Sequence, residues 1–473
     1  MSDYDYDFDL EDLYDDEILP GSSNVWYEDD ELSGLEEYVE RGIWEEIDMC
    51  MLPTMRDGFS QVGNLLLWCF IFRITTQTVA VPSGVGHAIS ACTGLYILYV
   101  FFHSTMFHIL AFAFILYCIL WSLSRFFGYR RGPIMGIVSI VFLIISELFI
   151  VNEVEWHKIR GAQMILAMKV ISISFDSDIG TIQAVPSPLP FAGYVFNVGT
   201  CVFGPWVSYK DYIAIFDRPL WNWRWVLRIF VSLGVAFLFL TISTCWSLWL
   251  IPDDAWRWWV AYRDALSFRS SHYFVSFVSE ASALVSGFGR NTEDDWGVPV
   301  TKPHLIEIPR SLVQVVVYWN MPMHHWLKTY VFRTTISYGS FIAVLSTYAA
   351  SSLLHGLNFQ LSAVLLSLGA YTYVEYMLRQ KLANTFRACI LVRPCRKDCS
   401  HRNHDSRLVV TITNVAFGLL VVFHLAYLGL MFDTSSKEQE VGYSYSHTLA
   451  KWSSLSYASH WVVLGTYIFY LLI

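Results

Sequence analysis

The sequence predicts an all-α polytopic membrane protein, on three observations. Hydrophobic residues form 55% of the chain and charged residues 15%, where soluble domains carry roughly 25% charged residues. A chain so apolar needs lipid as the solvent for much of its surface. Aromatic residues reach 17%, including 19 Trp and 27 Tyr, an abundance suited to helix ends at a membrane interface. The apolar residues also gather into repeated runs near the ~20 positions that a helix needs to cross hydrocarbon.

At the start of the chain, the first 48 residues hold 19 Asp or Glu against Arg41 alone, so they carry −18 and the remainder +8 of the overall −10. Like charges with few aliphatic residues predict a disordered or weakly helical tail over 1–50, on the cytosolic or lumenal side, with the membrane domain over 51–473. The opening residues lack the basic start and apolar stretch of a secretory signal, so insertion is expected to begin at the first spanning helix.

Spans are predicted at Val62–Val81, Ile89–Phe107, Ile109–Arg125, Ile134–Val151, Phe191–Tyr209, Val226–Ile251, Ser340–Leu354, Leu361–Met377, Leu408–Phe432 and Trp461–Ile473, about ten or eleven in all. The more polar pieces Gly161–Phe175, Ser267–Phe288 and Leu312–Phe332 are expected to be interfacial, re-entrant or packed inside the bundle. Between Arg379 and Arg407, eight Lys or Arg face only Asp398 and Asp405, which predicts a cytosolic loop. Arg125, Arg130 and Arg131 say the same of an earlier loop. Paired, interrupted half-helices are absent from the two halves, which weighs against an inverted-repeat transporter. Five of the scattered cysteines, Cys69, Cys92, Cys118, Cys201 and Cys245, lie in or beside apolar runs, the placement of small hydrophobes rather than a disulfide framework.

Two polar positions stand out in this background. His355 is surrounded by apolar or small residues, and an ionisable group at membrane depth is a functional candidate by default. Its imidazole exchanges a proton near neutral pH, as a general base must; the plainer reading is a ring satisfied by a backbone carbonyl. Asn320, 35 positions upstream, precedes Pro322 and has an amide able to hold a developing oxyanion without bringing charge into the bilayer. Its plainer reading is an N-cap for the helix that Pro322 opens.

The segments around these two residues are more specific than either alone. WNMPMHHWL at 319–327 and YAASSLLHG at 348–356 resemble the Asn and His signature of the membrane-bound O-acyltransferases. IPRSLV, FQLSAVLLSL, YTYVEYMLRQKLA, CSHR, KWSSLSYASHW, FGPWVSY and YRDALSFRSSHYFVSFVSE extend the resemblance over roughly 55–473, and are similar to the branch of that family that acylates Wnt proteins. The resemblance implies a multi-pass bundle around a central tunnel in the endoplasmic reticulum membrane. It also implies transfer of a palmitoleoyl group from palmitoleoyl-CoA to a Wnt serine, with His355 catalytic and Asn320 its partner. Palmitoleoyl-CoA is then a substrate; no cofactor and no nucleic-acid partner are implied, and membrane lipids surround the protein.

Trp319, Tyr348, Ser351 and Leu354 are expected to line the acyl pocket, from their position beside the pair. Arg228, Arg257 and Arg263 are candidates for the CoA phosphates, with snorkelling beside a span as the alternative. In the basic loop, Cys395, Cys399, His401 and His404 form a weak candidate zinc set. Eight nearby basic residues argue against a dication there, and S-acylation of a cysteine or no modification at all are the competing readings. Other functional readings are a related enzyme with a Hedgehog-type, peptide-hormone or lysophospholipid acceptor, and a non-catalytic carrier of lipidated cargo.

Overall fold

The structure is a computed structural model that describes residues 42–77, 81–126, 130–217, 223–289, 297–396, 399–404, 407–432 and 445–473. The acidic tail expected over 1–50 lies outside these residues as far as position 41, and helical structure starts at Ile43.

The principal helices are α1 (Leu52–Gln77), α2 (Ser83–Phe102), α3 (Met106–Phe126), α4 (Arg131–Ile145) and α5 (Glu153–Asp178). A short α6 (Pro188–Val195) and an irregular stretch lead to α7 (Trp223–Thr241) and α8 (Arg257–Val285). Then come α9 (Leu312–Trp319), α10 (Met321–Trp326), α11 (Ser340–Leu354), α12 (Phe359–Phe386) and α13 (Leu408–Gly429). The chain ends on α14 (Tyr445–Ser454) and α15 (Ala458–Leu472), bent by 72° at their junction.

Among the described residues five helical runs are long and apolar enough to cross a membrane, or six with the bent pair counted as one. That is fewer than the ten or eleven expected from apolar runs, although Ser83–Phe126, at 44 residues, covers two of the expected spans, Ile89–Phe107 and Ile109–Arg125. The five runs are Ser83–Phe126, Arg131–Ile150, Trp223–Leu250, Phe359–Phe386 and Leu408–Gly429. Their outward residues are large and apolar: Phe230, Val409 and Leu419 stand exposed, as lipid contact requires. The predicted span Ser340–Leu354 is a helix with those bounds, though only 15 residues long.

One predicted span is wrong. Phe191–Tyr209 is apolar enough to cross, but its helix stops at Val195, and residues 196–208 run irregularly through the core. Gly199, Gly204 and Pro205 lie in this stretch, and both glycine freedom and the missing proline N–H disfavour a helix. Non-helical backbone is tolerated at such depth only when protein satisfies its polar groups. Here buried Lys169 donates to the carbonyls of Tyr194 and Val195, both at 3.0 Å, and to the Thr200 hydroxyl at 2.9 Å. Ser282 donates to the Gly199 carbonyl at 3.0 Å, and Asn197 to Ser90 at 3.0 Å. Gly94 of α2 is in van der Waals contact with this segment, because a Cβ there would collide with the Phe196 carbonyl.

The polar pieces Gly161–Phe175 and Ser267–Phe288 belong to α5 and α8, and both helices are packed inside the bundle. They carry buried residues on every face, including Gln163, Lys169, Arg269 and Glu280. Such helices gain stability inside protein, where their polar groups find partners. Helix α8 packs against α1, α7 and α13 and is the central post of the bundle.

The cysteines also depart from expectation at one point. Cys50 and Cys245, 195 positions apart, form a disulfide with Cα atoms 5.9 Å apart. Because α1 lies along α7, the residues just before the one and just after the other are brought together. Cys69 and Cys201 are free and buried, as small hydrophobes should be.

Candidate active site

Asn320 sits at a break in a helix. Its backbone is extended (φ −145°, ψ 91°), so α9 ends at Trp319 and α10 begins at Met321, with Pro322 inside the first turn. The Asn320 side-chain oxygen accepts from the Met323 amide at 3.0 Å, the N-cap bond. Residues 300–302 satisfy the other groups freed by the break: Met321 N–H donates to the Val300 carbonyl at 2.8 Å, and Lys302 N–H to the Tyr318 carbonyl at 3.1 Å. The cap uses the Asn320 oxygen and leaves its NH₂ without a hydrogen bond among the described residues.

His355 occupies a second helix end. It caps α11, its N–H donating to the Ser352 carbonyl at 3.1 Å, and Gly356 follows with φ +87°. Only glycine takes that conformation readily, and the space is closed as well, since a Cβ on Gly356 would lie 2.8 Å from the Glu147 carboxylate. The same carboxylate accepts from Leu357 N–H at 2.7 Å, and the Asn358 side chain caps α12 through Leu361 N–H at 3.0 Å. The turn at 355–358 is thus clamped from three directions. The His355 side chain is half-buried.

His272, on the central helix α8, packs against the end of α9 beside Asn320, although nothing in the sequence had singled it out. Its ring stacks on Trp319 with centroids 4.4 Å apart and planes 6° from parallel, and its Nε2 bonds the Trp319 carbonyl at 3.0 Å. The one signal that could have found it is a histidine in the middle of a long helix between Arg269 and Glu280, a helix too polar to face lipid.

The remaining expected pocket residues lie on α11. Ser351 and Leu354 are buried, and the Tyr348 ring lies against α12 where Gly369 leaves room for it. Among the arginines proposed for CoA, Arg228 pairs with buried Glu280 at 2.6 Å, and Arg263 with Asp253 at 2.7 Å and Asp264 at 2.8 Å. Arg257 is exposed and reaches the Ser454 carbonyl at 3.5 Å. A groove of about 500 Å³ between Glu307, Arg310 and α13 contains neither Asn320 nor His355. The cysteine and histidine residues of the basic loop form a separate cluster.

A multi-pass helical bundle agrees with the family comparison, and Asn320 and His355 stand at two of its helix ends. The sequence profile of the membrane-bound O-acyltransferase family matches residues 181–422, a segment that includes both. The chain belongs to that family and is an acyltransferase. Within the family it is 44% identical to the mouse protein-serine O-palmitoleoyltransferase porcupine, over 90% of this chain and 96% of that one. The human protein of the same name is 43% identical over the same shares. Lysophospholipid acyltransferase 1 of Arabidopsis thaliana is 24% identical over 63% of this chain and 75% of its own.

Proposed function

We propose that this enzyme transfers a palmitoleoyl group from palmitoleoyl-CoA to a serine hydroxyl of Wnt proteins, in the endoplasmic reticulum membrane. The observation that carries this reading is the similarity to the porcupine proteins over nine tenths of the chain, which far exceeds that to the phospholipid-directed relatives.

In this reading His355 is the general base. It removes the proton from serine Oγ as that oxygen attacks the thioester carbonyl carbon. The tetrahedral oxyanion then collapses, the C–S bond breaks, and the CoA thiolate leaves and takes up a proton. Asn320, with its oxygen committed to the cap, offers its NH₂ to the oxyanion. Trp319 and His272 hold that amide in place through the stack beneath it. Tyr348, Ser351 and Leu354 are the proposed wall of the acyl pocket, where each buried methylene contributes about 0.8 kcal/mol. Arg257 is the proposed CoA-phosphate contact most free to act, since Arg228 and Arg263 are engaged in ion pairs.

The test is an assay of the purified enzyme with labelled palmitoleoyl-CoA and a peptide spanning the acylated serine of a Wnt protein. Label should appear on the peptide as an ester that alkaline hydroxylamine cleaves, and should vanish when that serine is alanine. An amide-linked product, label on lysophospholipid instead of peptide, or no transfer would each overturn the proposal.

A second measurement separates the two roles of Asn320. Asn320→Ser retains a capping oxygen and so keeps the helix start, whereas Asn320→Ala also loses about 1 kcal/mol of cap stability. Both variants are expected to lose about 10²-fold or more in kcat, the usual cost of removing one oxyanion donor. Wild-type kcat in Asn320→Ser would reduce the residue to a cap.

A further inference from the structure

The basic loop between α12 and α13 contains the densest cluster of soft ligands among the described residues. The ligand atoms of Cys389, Cys395, Cys399 and His401 all lie within 4.8 Å of one another. Cys389 Sγ is 3.4 Å from Cys399 Sγ and 3.8 Å from His401 Nδ1, and Cys395 Sγ is 3.6 Å from His401 Nδ1. With Zn–S near 2.3 Å and Zn–N near 2.0 Å, the edges of a tetrahedral site come to about 3.8 Å for S···S and about 3.5 Å for S···N. The observed spacings lie close to those edges, and none of the three cysteines is in a disulfide.

The backbone brings the cluster together. Helix α12 stops at Arg387, which is left-handed (φ 45°), and Cys389 N–H donates to the Asn403 carbonyl at 2.8 Å. Asn403 N–H returns a bond to the Arg387 carbonyl at 3.0 Å. The two ends of the loop are thus tied, and the three later ligands fold back over Cys389. The apolar residues beneath are few: Ala383, Ala388, Ile390 and Val410. A segment this short does not build a core of its own, which is where a metal commonly supplies the missing stability.

Of the four ligands named from sequence, three belong to the cluster. His404 stands beside Cys399 at 3.6 Å but outside the group, and Cys389 takes its place. Net charge now argues for a metal rather than against it. Three thiolates and a neutral imidazole around a dication leave −1, which the loop's arginines offset.

We propose that Cys389, Cys395, Cys399 and His401 bind one zinc ion in a closed, structural site that holds the loop against the start of α9. The bonds from loop to helix are already present. Arg310 donates to the carbonyls of Cys389 at 2.7 Å and Leu391 at 3.2 Å, and Ser311 to that of Val392 at 2.9 Å. Helix α9 ends at Trp319, so the zinc loop steadies the helix whose far end carries Asn320.

The test is elemental analysis of the full chain, purified in detergent with neither metal nor chelator added. One zinc per chain is expected, lost in Cys395→Ser/Cys399→Ser and retained in His404→Ala. If the double variant does not accumulate, titrating the wild-type thiols with a mercurial should release zinc in step with their modification. Substoichiometric zinc in the wild-type protein, full zinc in the double variant, or an acyl thioester on Cys395 or Cys399 would overturn the proposal. Metal content is read without any acyl acceptor, so this result stands apart from the substrate assignment.

Discussion

Replacing His355 with alanine is expected to lower kcat for acyl transfer by about 10²–10⁴-fold, the usual contribution of a positioned general base. The fold should survive, because the structural task of the residue is its backbone N–H, which ends α11 whatever the side chain. Yield, elution in detergent and the midpoint of thermal unfolding should therefore match the wild type. His355→Gln sharpens the point: it keeps hydrogen-bonding capacity and similar bulk but accepts no proton at neutral pH. It should be as inactive as alanine, while KM for acyl-CoA changes little if the ring acts only on the hydroxyl. Substantial turnover in either variant would remove His355 from the chemistry and leave it a helix terminus.

The largest loss of stability is expected at Arg379. Its side chain is fully buried and donates to five acceptors: the carbonyls of Arg310 (2.6 Å), Ile390 (2.7 Å) and Leu391 (3.1 Å), Glu375 Oε1 (3.0 Å) and Asn414 Oδ1 (2.8 Å). It also lies over the Phe417 ring, 4.6 Å from its centroid. Glu375 in turn accepts from Leu312 N–H at 2.8 Å, at the first turn of α9. Arg379→Ala strands a buried carboxylate and three carbonyls, and breaking such a pair typically costs about 3–5 kcal/mol. Arg379→Lys should not rescue, because a point charge with three donors cannot serve a planar set of five acceptors. Arg379→Met combined with Glu375→Gln should recover part of the loss, since the amide oxygen still caps Leu312 and no charge is left unpaired. Thermal unfolding in detergent checks all three, and a wild-type midpoint for Arg379→Ala would refute the argument.

Arg379 also shows where charge counting failed. The sequence pattern places it among the basic residues of a cytosolic loop over 379–407, yet α12 continues to Phe386 and Arg379 is buried within the bundle. Sequence reveals how many arginines stand near a span but not which of them turn inward to hold backbone carbonyls. Cys50 and Cys245 show the same limit. Each has an ordinary local environment, and only the packing of α1 along α7 brings their sulfurs together.

For the site, the two helix ends were legible. Pro322 after Asn320 and Gly356 after His355 mark helix ends in the sequence itself, because proline and glycine restrict or free the backbone locally. The partners that give those helix ends their geometry were not legible: Glu147 lies 210 positions from the amide it holds, and His272 lies 47 from the Trp319 carbonyl.

Composition and apolar runs were enough to determine that the chain is a helical membrane protein, since an unbroken apolar run of about 20 residues satisfies its backbone in lipid by forming a helix. Local motifs were enough to place Asn320 and His355 at helix ends. Only the tertiary structure decided that 196–208 crosses the core as irregular chain, that α5 and α8 run inside the bundle, and that Cys389 joins the cluster in the basic loop. Each of these depends on side chains from distant positions meeting buried polar groups. That pairing is set by how the helices pack, and the local pattern of the sequence does not encode it in readable form.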